Sequence, residues 1–107
     1  MSKVLRQFGL IGYPLSHSFS EKYFEKKFRE EQISDANYRA FPLSSISAFP
    51  KLLASQPGLC GLNVSIPYKE TVISFLDELD ETAAAVGAVN TIAFSNGKTT
   101  GFNTDCY

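Results

Sequence analysis

Short apolar runs predict three strands in the first part of the chain. Residues 4–11 form an apolar run that ends at Gly12 and Pro14, a pattern typical of a buried strand. Residues 37–43 can form a second strand, and residues 61–66 form a third that is apolar enough to be buried. None of these runs approaches the roughly 18 apolar residues that a membrane span requires.

The segments between these strands have the pattern of helices. A first helix is predicted to open at residues 18–20 and to run to about residue 32, with aromatic residues on one face and charged residues on the other. Ser44 or Ser45 can cap a second helix, in which Pro50 is tolerated only in the first turn.

Two further helical stretches follow the third strand. Pro67 can begin a helix over about residues 68–76, because the N–H that proline lacks is not needed in a first turn. Residues 80–86 form another helical stretch, which ends at Gly87.

The end of the chain predicts a β-hairpin. Residues 88–95 and 98–104 flank Asn96-Gly97, the dipeptide that most favours a two-residue hairpin turn. Strands separated by helices indicate an α/β fold. We therefore expect a mostly parallel open sheet with flanking helices, in a three-layer sandwich, and an antiparallel hairpin at its C-terminal side.

Composition narrows the class of protein. The 107 residues fit one domain, and ten basic against eleven acidic side chains give a formal net charge of −1. This balance gives no electrostatic footprint for nucleic acid or for a polybasic membrane surface. Nine Phe and five Tyr supply ample apolar material for a core, which argues against disorder.

Histidine and cysteine are too scarce for a metal centre. His17 is the one histidine, and Cys60 and Cys106 are too few and too far apart for a zinc motif or a disulfide framework. Both cysteines are interpreted as small buried thiols in a reducing compartment. Charges within residues 2–7 exclude a signal peptide, so we expect a cytoplasmic protein.

The start of the first predicted helix is one candidate site. Ser18 and Ser20 place hydroxyls beside free backbone N–H groups at the positive end of the helix dipole, which suits a carboxylate or a phosphate. Ser18 and Glu21 also satisfy a capping box, so helix capping alone is the alternative.

The third strand and the residues after it form a second candidate. Alternation puts Asn63 and Ser65 on one face, opposite Leu62, Val64 and Ile66. Polar side chains that point together from a strand with an apolar reverse face suggest a cleft.

Lys69 falls in the first turn of the next predicted helix. A cation is electrostatically misplaced there, and this environment suits a lysine that exchanges a proton. The alternative is a surface lysine with its stem on the protein and its ammonium in water.

The hairpin joins two polar clusters that are distant in sequence. A two-residue turn makes Ser95 face Lys98 and Asn90 face Asn103, so Asn90 and Asp105 emerge at the same end. An exposed polar strand end is the alternative interpretation. A lysine, a carboxylate, amides and hydroxyls together would suit a small polyhydroxylated acid, with acid/base chemistry at one oxygen.

Four motifs in this order resemble the N-terminal, substrate-binding domain of shikimate dehydrogenase. They are GYPLSHSFS at residues 12–20, GLNVSIPYKE at 61–70, GAVNT at 87–91 and GFNTD at 101–105. The resemblance spans nearly the whole chain, and four ordered motifs are more specific than any one of them.

The resemblance implies a role for each matching polar residue. Ser18 and Ser20 would hold the substrate carboxylate, and Ser65 would bond to a ring hydroxyl. Asn90 and Asp105 would bind the other hydroxyls of shikimate.

The resemblance also implies the reaction, which is the reversible reduction of the ring ketone of 3-dehydroshikimate to shikimate by NADPH. Lys69 would be the catalytic acid/base, positioned and charge-stabilised by Asp105, and Glu81 would lie near the cofactor.

Two positions depart from the family pattern. Ser65 stands where the family commonly has Thr, a change that keeps the hydroxyl. Glu21 stands where the family commonly has Pro, and an acidic side chain beside a bound carboxylate is mildly unfavourable.

The family's Gly-rich dinucleotide fingerprint, which would follow the Asn-Thr-Asp motif in a second domain, is absent from the chain. We expect residues 1–107 to be the substrate-binding domain of a longer protein, with the NADP site elsewhere and no turnover by this chain alone. The alternatives are a stand-alone binding module for shikimate-like or quinate-like acids, a lyase that uses Lys69 in a Schiff base, and a purely structural domain.

Overall fold

The computed structural model describes residues 6–15, 26–27, 29–30 and 36–104. Among the elements whose bounds lie within these ranges are six strands, two α-helices and two 3-10 helices. The strands are β1 (Arg6–Gly12), β2 (Ala36–Pro42), β3 (Leu59–Val64), β4 (Glu78–Leu79), β5 (Thr91–Ser95) and β6 (Lys98–Phe102). The helices are α1 (Phe49–Ser55) and α2 (Glu81–Val86), and the 3-10 helices are Ile46–Ala48 and Thr71–Phe75.

The six strands form one mixed sheet in the order β2-β1-β3-β5-β6-β4. β1 pairs in parallel with β2 and β3, and β4 pairs in parallel with β6. β5 is antiparallel to both β3 and β6. The predicted α/β class is confirmed, with most strand pairs parallel and an antiparallel hairpin near the C-terminal side of the sheet.

The hairpin has the predicted register. Ser95 pairs with Lys98 and Thr91 pairs with Phe102, so the loop consists of two residues. Asn96 has φ 53° and Gly97 has φ 76°. Positive φ at both loop residues is what a type I′ turn requires, and Asn followed by Gly adopts it at the lowest steric cost.

The main cluster of buried residues that the structure describes lies on one face of the sheet. Ile11 of β1 and Ile92 of β5 are fully buried there, together with Phe49 at the start of α1. The Ser45 side chain accepts a hydrogen bond from the Ser47 N–H and begins the helical segment, and Pro50 lies in the first turn of α1. Both features were predicted. The first N–H groups of a helix have no partner within the helix, so an N-cap hydroxyl can accept from one of them, and a proline in the first turn loses no hydrogen bond.

The segment after β3 differs from the prediction. Instead of a helix over residues 68–76, it forms the five-residue 3-10 helix Thr71–Phe75. Thr71, Val72 and Ile73 are consecutive β-branched residues, which lose side-chain freedom in an α-helix, and this run explains the short tight turn. β4 was not predicted, since two residues carry no periodic signal.

Part of the predicted architecture lies outside the described residues. This holds for most of the first predicted helix, of which only residues 26, 27, 29 and 30 are described, and these four are helical. In the part of the chain that the structure covers, no helix is long and apolar enough to cross a membrane.

Candidate functional site

Four elements bring polar residues to one edge of the sheet. β1 and β3 are parallel and end at this edge, whereas antiparallel β5 begins there and β6 returns to it. Ser65 and Lys69 follow β3, Asn90 precedes β5 and Thr104 follows β6. We call these four residues the polar edge.

Backbone hydrogen bonds tie the segments of the polar edge together. The Val89 N–H donates to the Lys69 carbonyl at 2.7 Å, so Lys69 lies next to Asn90. The Asn90 carbonyl accepts from Val64 at 2.8 Å, and the Asn90 N–H donates to Phe102 at 3.0 Å. The residues predicted after β3 and before β5 are therefore brought together, although about 20 positions separate them in sequence.

Ser65 sits where β1 and β3 end side by side. Its N–H donates to the Ile11 carbonyl at 2.8 Å. A Cβ placed on Gly12 would lie 3.0 Å from the Ser65 Cβ and 3.1 Å from the Ile66 carbonyl oxygen, so the close approach requires glycine. Ser65 is half-buried, and its hydroxyl has no hydrogen-bond partner among the residues that the structure describes.

The turn after Ser65 positions Lys69. The Tyr68 N–H donates to the Ser65 carbonyl at 3.1 Å, and the buried Tyr68 hydroxyl donates to the carbonyl of Leu43. These bonds fix the backbone on the N-terminal side of Lys69. The Lys69 side chain is half-buried, so it can contact both a ligand and solvent.

Asn63 keeps the predicted face of the third strand, opposite the buried Leu62 and Val64, whereas Ile66 differs from the prediction. The Asn63 amide donates to the Tyr38 hydroxyl at 2.8 Å and lines a cavity of about 460 Å³ with Phe8 and Gly61. Asn63 therefore contacts β2 rather than the polar edge. Ile66 is 72% exposed instead of belonging to the apolar face, because β3 ends at Val64.

Asn90 makes three side-chain hydrogen bonds. Its Oδ1 accepts from the Thr104 N–H at 3.0 Å and from the Thr91 hydroxyl at 3.1 Å. Its Nδ2 donates to the Thr104 hydroxyl oxygen at 2.9 Å. The carboxamide keeps one N–H without a partner in the described part of the chain, and that N–H can bind a ligand oxygen.

The hairpin register alone did not identify Thr104. The prediction paired Asn90 with Asn103, but the buried Asn103 side chain donates instead to the Ala88 carbonyl at 3.2 Å. The next residue along the chain meets the Asn90 side chain. A threonine one step beyond the register partner of a polar residue is the signal that could have found it.

Several predicted site residues lie outside the described residues. These are Ser18, Ser20 and Asp105. His17 and Cys106 also lie outside the described residues. The predicted meeting of Lys69 with Asp105 therefore stays a prediction. In the sequence, Asp105 directly follows Thr104, which the polar edge includes.

Glu81 occupies the first position of α2, where an acidic side chain complements the helix dipole. The preceding Asp80 caps this helix by accepting from the Ala83 N–H at 2.8 Å. Among the residues described, no hydrogen bond joins Glu81 to the polar edge.

A second polar cluster lies at the opposite end of β6. The Asp77 carboxylate accepts from the Thr99 N–H at 2.8 Å and from its hydroxyl at 3.1 Å. The Asp77 N–H in turn donates to the Thr99 hydroxyl oxygen at 3.0 Å and to its carbonyl at 3.1 Å. We call this pair the Asp77–Thr99 clamp.

The clamp perturbs the acidity of its carboxyl group. The Thr99 backbone N–H, then the Thr99 hydroxyl, lower the pKa of Asp77 below its ordinary value of 3.8. The Lys98 ammonium acts in the same direction, and desolvation opposes it.

Within the described ranges, no group of three His, Cys, Asp or Glu side chains is arranged to hold a metal ion.

Comparison with known families identifies the chain's relatives. A family model described as the shikimate dehydrogenase substrate binding domain matches residues 10–92. The shikimate dehydrogenase (NADP(+)) of Shouchella clausii strain KSM-K16 is 43% identical over 102 residues, which are 94% of this chain and 36% of that protein. The chain thus spans about a third of the length of the curated relatives that it matches.

Solved structures show the same similarity. Shikimate 5-dehydrogenase from Thermus thermophilus, crystallised with shikimate, matches with a TM-score of 0.83 and 31% identity, over 95% of this chain and 39% of that one. Ligand-free 5-ketofructose reductase of Gluconobacter sp. strain CHM43 matches with a TM-score of 0.85 and 27% identity, over 94% of this chain and 36% of that one.

Proposed function

The chain belongs to the family of shikimate dehydrogenase substrate-binding domains, and on this premise we propose that it binds shikimate and 3-dehydroshikimate within an NADP-dependent dehydrogenase. The observation that carries the proposal is the meeting of Ser65, Lys69 and Asn90 at one edge of the sheet. A hydroxyl, an ammonium and an amide N–H at one edge suit the adjacent hydroxyl groups of a polyhydroxylated ring acid.

The binding roles follow from the donors and acceptors at the polar edge. The Ser65 hydroxyl can donate to one ring hydroxyl and accept from another group. The remaining Asn90 N–H donates to a second ring oxygen. Ser18 and Ser20 are proposed to hold the substrate carboxylate, and Asp105 to accept from a ring hydroxyl.

Lys69 is proposed to carry the proton chemistry. Its ammonium gives a proton to the ring ketone oxygen during reduction, and the neutral amine takes a proton from the hydroxyl during oxidation. Asp105 stabilises the charged form of Lys69 and orients it. When NADPH is bound, it supplies the hydride that is added to the carbonyl carbon.

The cofactor is proposed to bind outside this chain. The seven glycines do not form a Gly-x-Gly-x-x-Gly pattern, so no stretch of this sequence is suited to cradle a dinucleotide pyrophosphate. The curated relatives are about three times as long as the matched segment. Glu81 is the one residue of this chain proposed to approach the cofactor.

We also propose that the enzyme acts in the cytoplasm.

The proposal is tested with the full-length protein that carries this chain. We expect it to oxidise shikimate with NADP⁺, measured as NADPH absorbance, and the 107-residue chain alone to give no turnover. Quinate and 5-ketofructose are run beside shikimate as competing substrates. Failure to oxidise shikimate would overturn the proposed function, and faster reduction of 5-ketofructose than of 3-dehydroshikimate would reassign the substrate.

Two measurements separate the other functions left open by the sequence. Shikimate binding in calorimetry, without any turnover by the full-length protein, would favour a stand-alone binding module. Borohydride treatment with 3-dehydroshikimate tests the lyase, because reduction of a Schiff base would leave the substrate attached to Lys69. We expect no adduct.

A further inference from the structure

We infer that Thr104 and Thr91 are positioning residues of the proposed reaction, which hold the Asn90 carboxamide so that it offers one N–H to a substrate oxygen. This inference rests on the proposed function and deepens it. The contacts that carry it are the three hydrogen bonds of the Asn90 side chain, made at 2.9 to 3.1 Å to two threonines from two different strand ends.

The partners of the Asn90 carboxamide fix its orientation. The Thr104 backbone N–H can only donate, so the Asn90 atom that it meets must be the oxygen. The nitrogen then faces the Thr104 hydroxyl oxygen, which accepts its proton. The backbone contact and the side-chain contact of Thr104 thus select the same one of two possible orientations.

The two threonines use most of the hydrogen-bonding capacity of the carboxamide. An amide oxygen accepts two hydrogen bonds, and Thr104 and Thr91 supply both. An amide nitrogen donates two, and Thr104 takes one. Asn90 can therefore recognise a group that accepts a hydrogen bond, such as a hydroxyl or ketone oxygen, and it has no acceptor capacity to spare.

Asn90 and Lys69 are neighbours through backbone hydrogen bonds. The Asn90 backbone is held on one side by Val64 and on the other by Phe102, and the preceding residue is bonded to the Lys69 carbonyl. A substrate oxygen bound by Asn90 would therefore lie beside the segment that carries Lys69, the residue proposed to exchange the proton. The orientation of this substrate oxygen affects catalysis directly, because the reacting groups must be aligned.

Thr104 is exposed, so its side chain contributes little to the core. Removing its hydroxyl should affect the orientation of Asn90 far more than the folding of the domain. A stability role and a positioning role therefore predict different results.

Thr104→Val in the full-length enzyme tests the inference, because valine keeps the shape and removes the hydroxyl. We expect kcat/KM for shikimate to fall about tenfold, the value of one well-oriented hydrogen bond, and KM for NADP⁺ to stay unchanged. Thr104→Ser should restore most of the loss. Thr100→Val in the middle of β6 is the matched control, and it should leave both parameters unchanged.

A double-mutant cycle with Asn90→Ala separates positioning from a direct role. If Thr104 acts through Asn90, Thr104→Val should cost less than about twofold in the Asn90→Ala enzyme. Additive losses would overturn the inference, as would a Thr104→Val enzyme equal to Thr100→Val. Thr91→Val, expected to cost about threefold, tests the same carboxamide if Thr104→Val does not fold, and an unchanged Thr91→Val enzyme would then count against it.

The failure of this inference differs from the failure of the proposed function. A wild-type enzyme that does not oxidise shikimate removes the proposed function itself. An active wild-type enzyme whose threonine variants behave like the Thr100→Val control leaves the function in place and removes the positioning role.

Discussion

The two ends of β6 use threonine in the same way but with different results. At its start, the Asp77 carboxylate accepts from the Thr99 backbone N–H at 2.8 Å; beyond its end, the Asn90 oxygen accepts from the Thr104 backbone N–H at 3.0 Å. In each cluster the threonine hydroxyl also bonds to the residue that its backbone N–H contacts, Asp77 in one and Asn90 in the other. The difference lies in what each cluster leaves unbonded.

In the Asp77–Thr99 clamp the buried residue is the threonine. Thr99 is 7% exposed, and its N–H, carbonyl and hydroxyl all bond to Asp77. At the polar edge Thr104 is exposed, and Asn90 keeps one N–H without a partner in the described part of the chain. A buried threonine whose polar groups are all bonded stabilises a fold, whereas an amide that retains a directed donor can bind a ligand.

The largest effect is expected at Lys69. In the full-length enzyme, Lys69→Ala should lower kcat about 10²–10⁴-fold, the usual contribution of general acid/base catalysis, and change substrate affinity little. Lys98→Ala is the control at the other end of β6, where the Lys98 ammonium lies 3.3 Å from Glu78 on the surface. Steady-state kinetics with shikimate measures both, and unchanged turnover in Lys69→Ala would remove this lysine from the mechanism.

A smaller effect is expected at Ser65. Ser65→Ala should raise KM for shikimate about five- to tenfold, because one hydrogen bond to a ring hydroxyl is lost. Ser65→Thr should stay within about twofold of the wild type, since it keeps the hydroxyl. Equal losses in the two variants would show that steric fit rather than the hydroxyl determines binding at this position.

At the Asp77–Thr99 clamp the expected effect is on stability. Thr99→Val should reduce the free energy of unfolding by about 1–2 kcal/mol, because it removes a buried hydroxyl that both donates to and accepts from Asp77. Activity per folded molecule should not change. Thermal unfolding and steady-state kinetics of the variant measure the two effects. A loss of activity with an unchanged Tm would contradict a purely stabilising role for the Asp77–Thr99 clamp.

The smallest effect is a pH dependence at Asp77. The hydrogen bonds from Thr99 lower the pKa of this carboxyl below 3.8, so its charged form stabilises the fold above that value, and the contribution is lost as pH falls through the lowered pKa. The difference in Tm between wild type and Asp77→Asn should therefore shrink below pH 3.8. A difference that grows on acidification would contradict the lowered pKa.

The sequence predicted the elements that have a periodic or turn-forming signal. The hairpin register followed from Asn96-Gly97, the start of the 3-10 helix Ile46–Ala48 from Ser45, and the first turn of α1 from Pro50. β4 and the 3-10 helix Thr71–Phe75 did not follow, since a two-residue strand has no period and a β-branched run is ambiguous.

The site was predictable to a similar extent. Motif resemblance selected Ser65, Lys69 and Asn90, which the structure brings to one edge. It did not select Thr104, and strand alternation did not show that the Asn63 amide bonds to Tyr38. Those assignments depend on where each side chain finds its hydrogen-bond partner, which only tertiary packing determines.

The most direct test is a shikimate titration of the isotope-labelled full-length protein followed by NMR. The account predicts the largest shifts at the amides of Ser65, Lys69 and Thr104 and at the side-chain NH₂ of Asn90, with the Thr99 amide nearly unmoved. Largest shifts at Thr99 or around Asn63 and Phe8, or no shifts at all with millimolar shikimate, would contradict it.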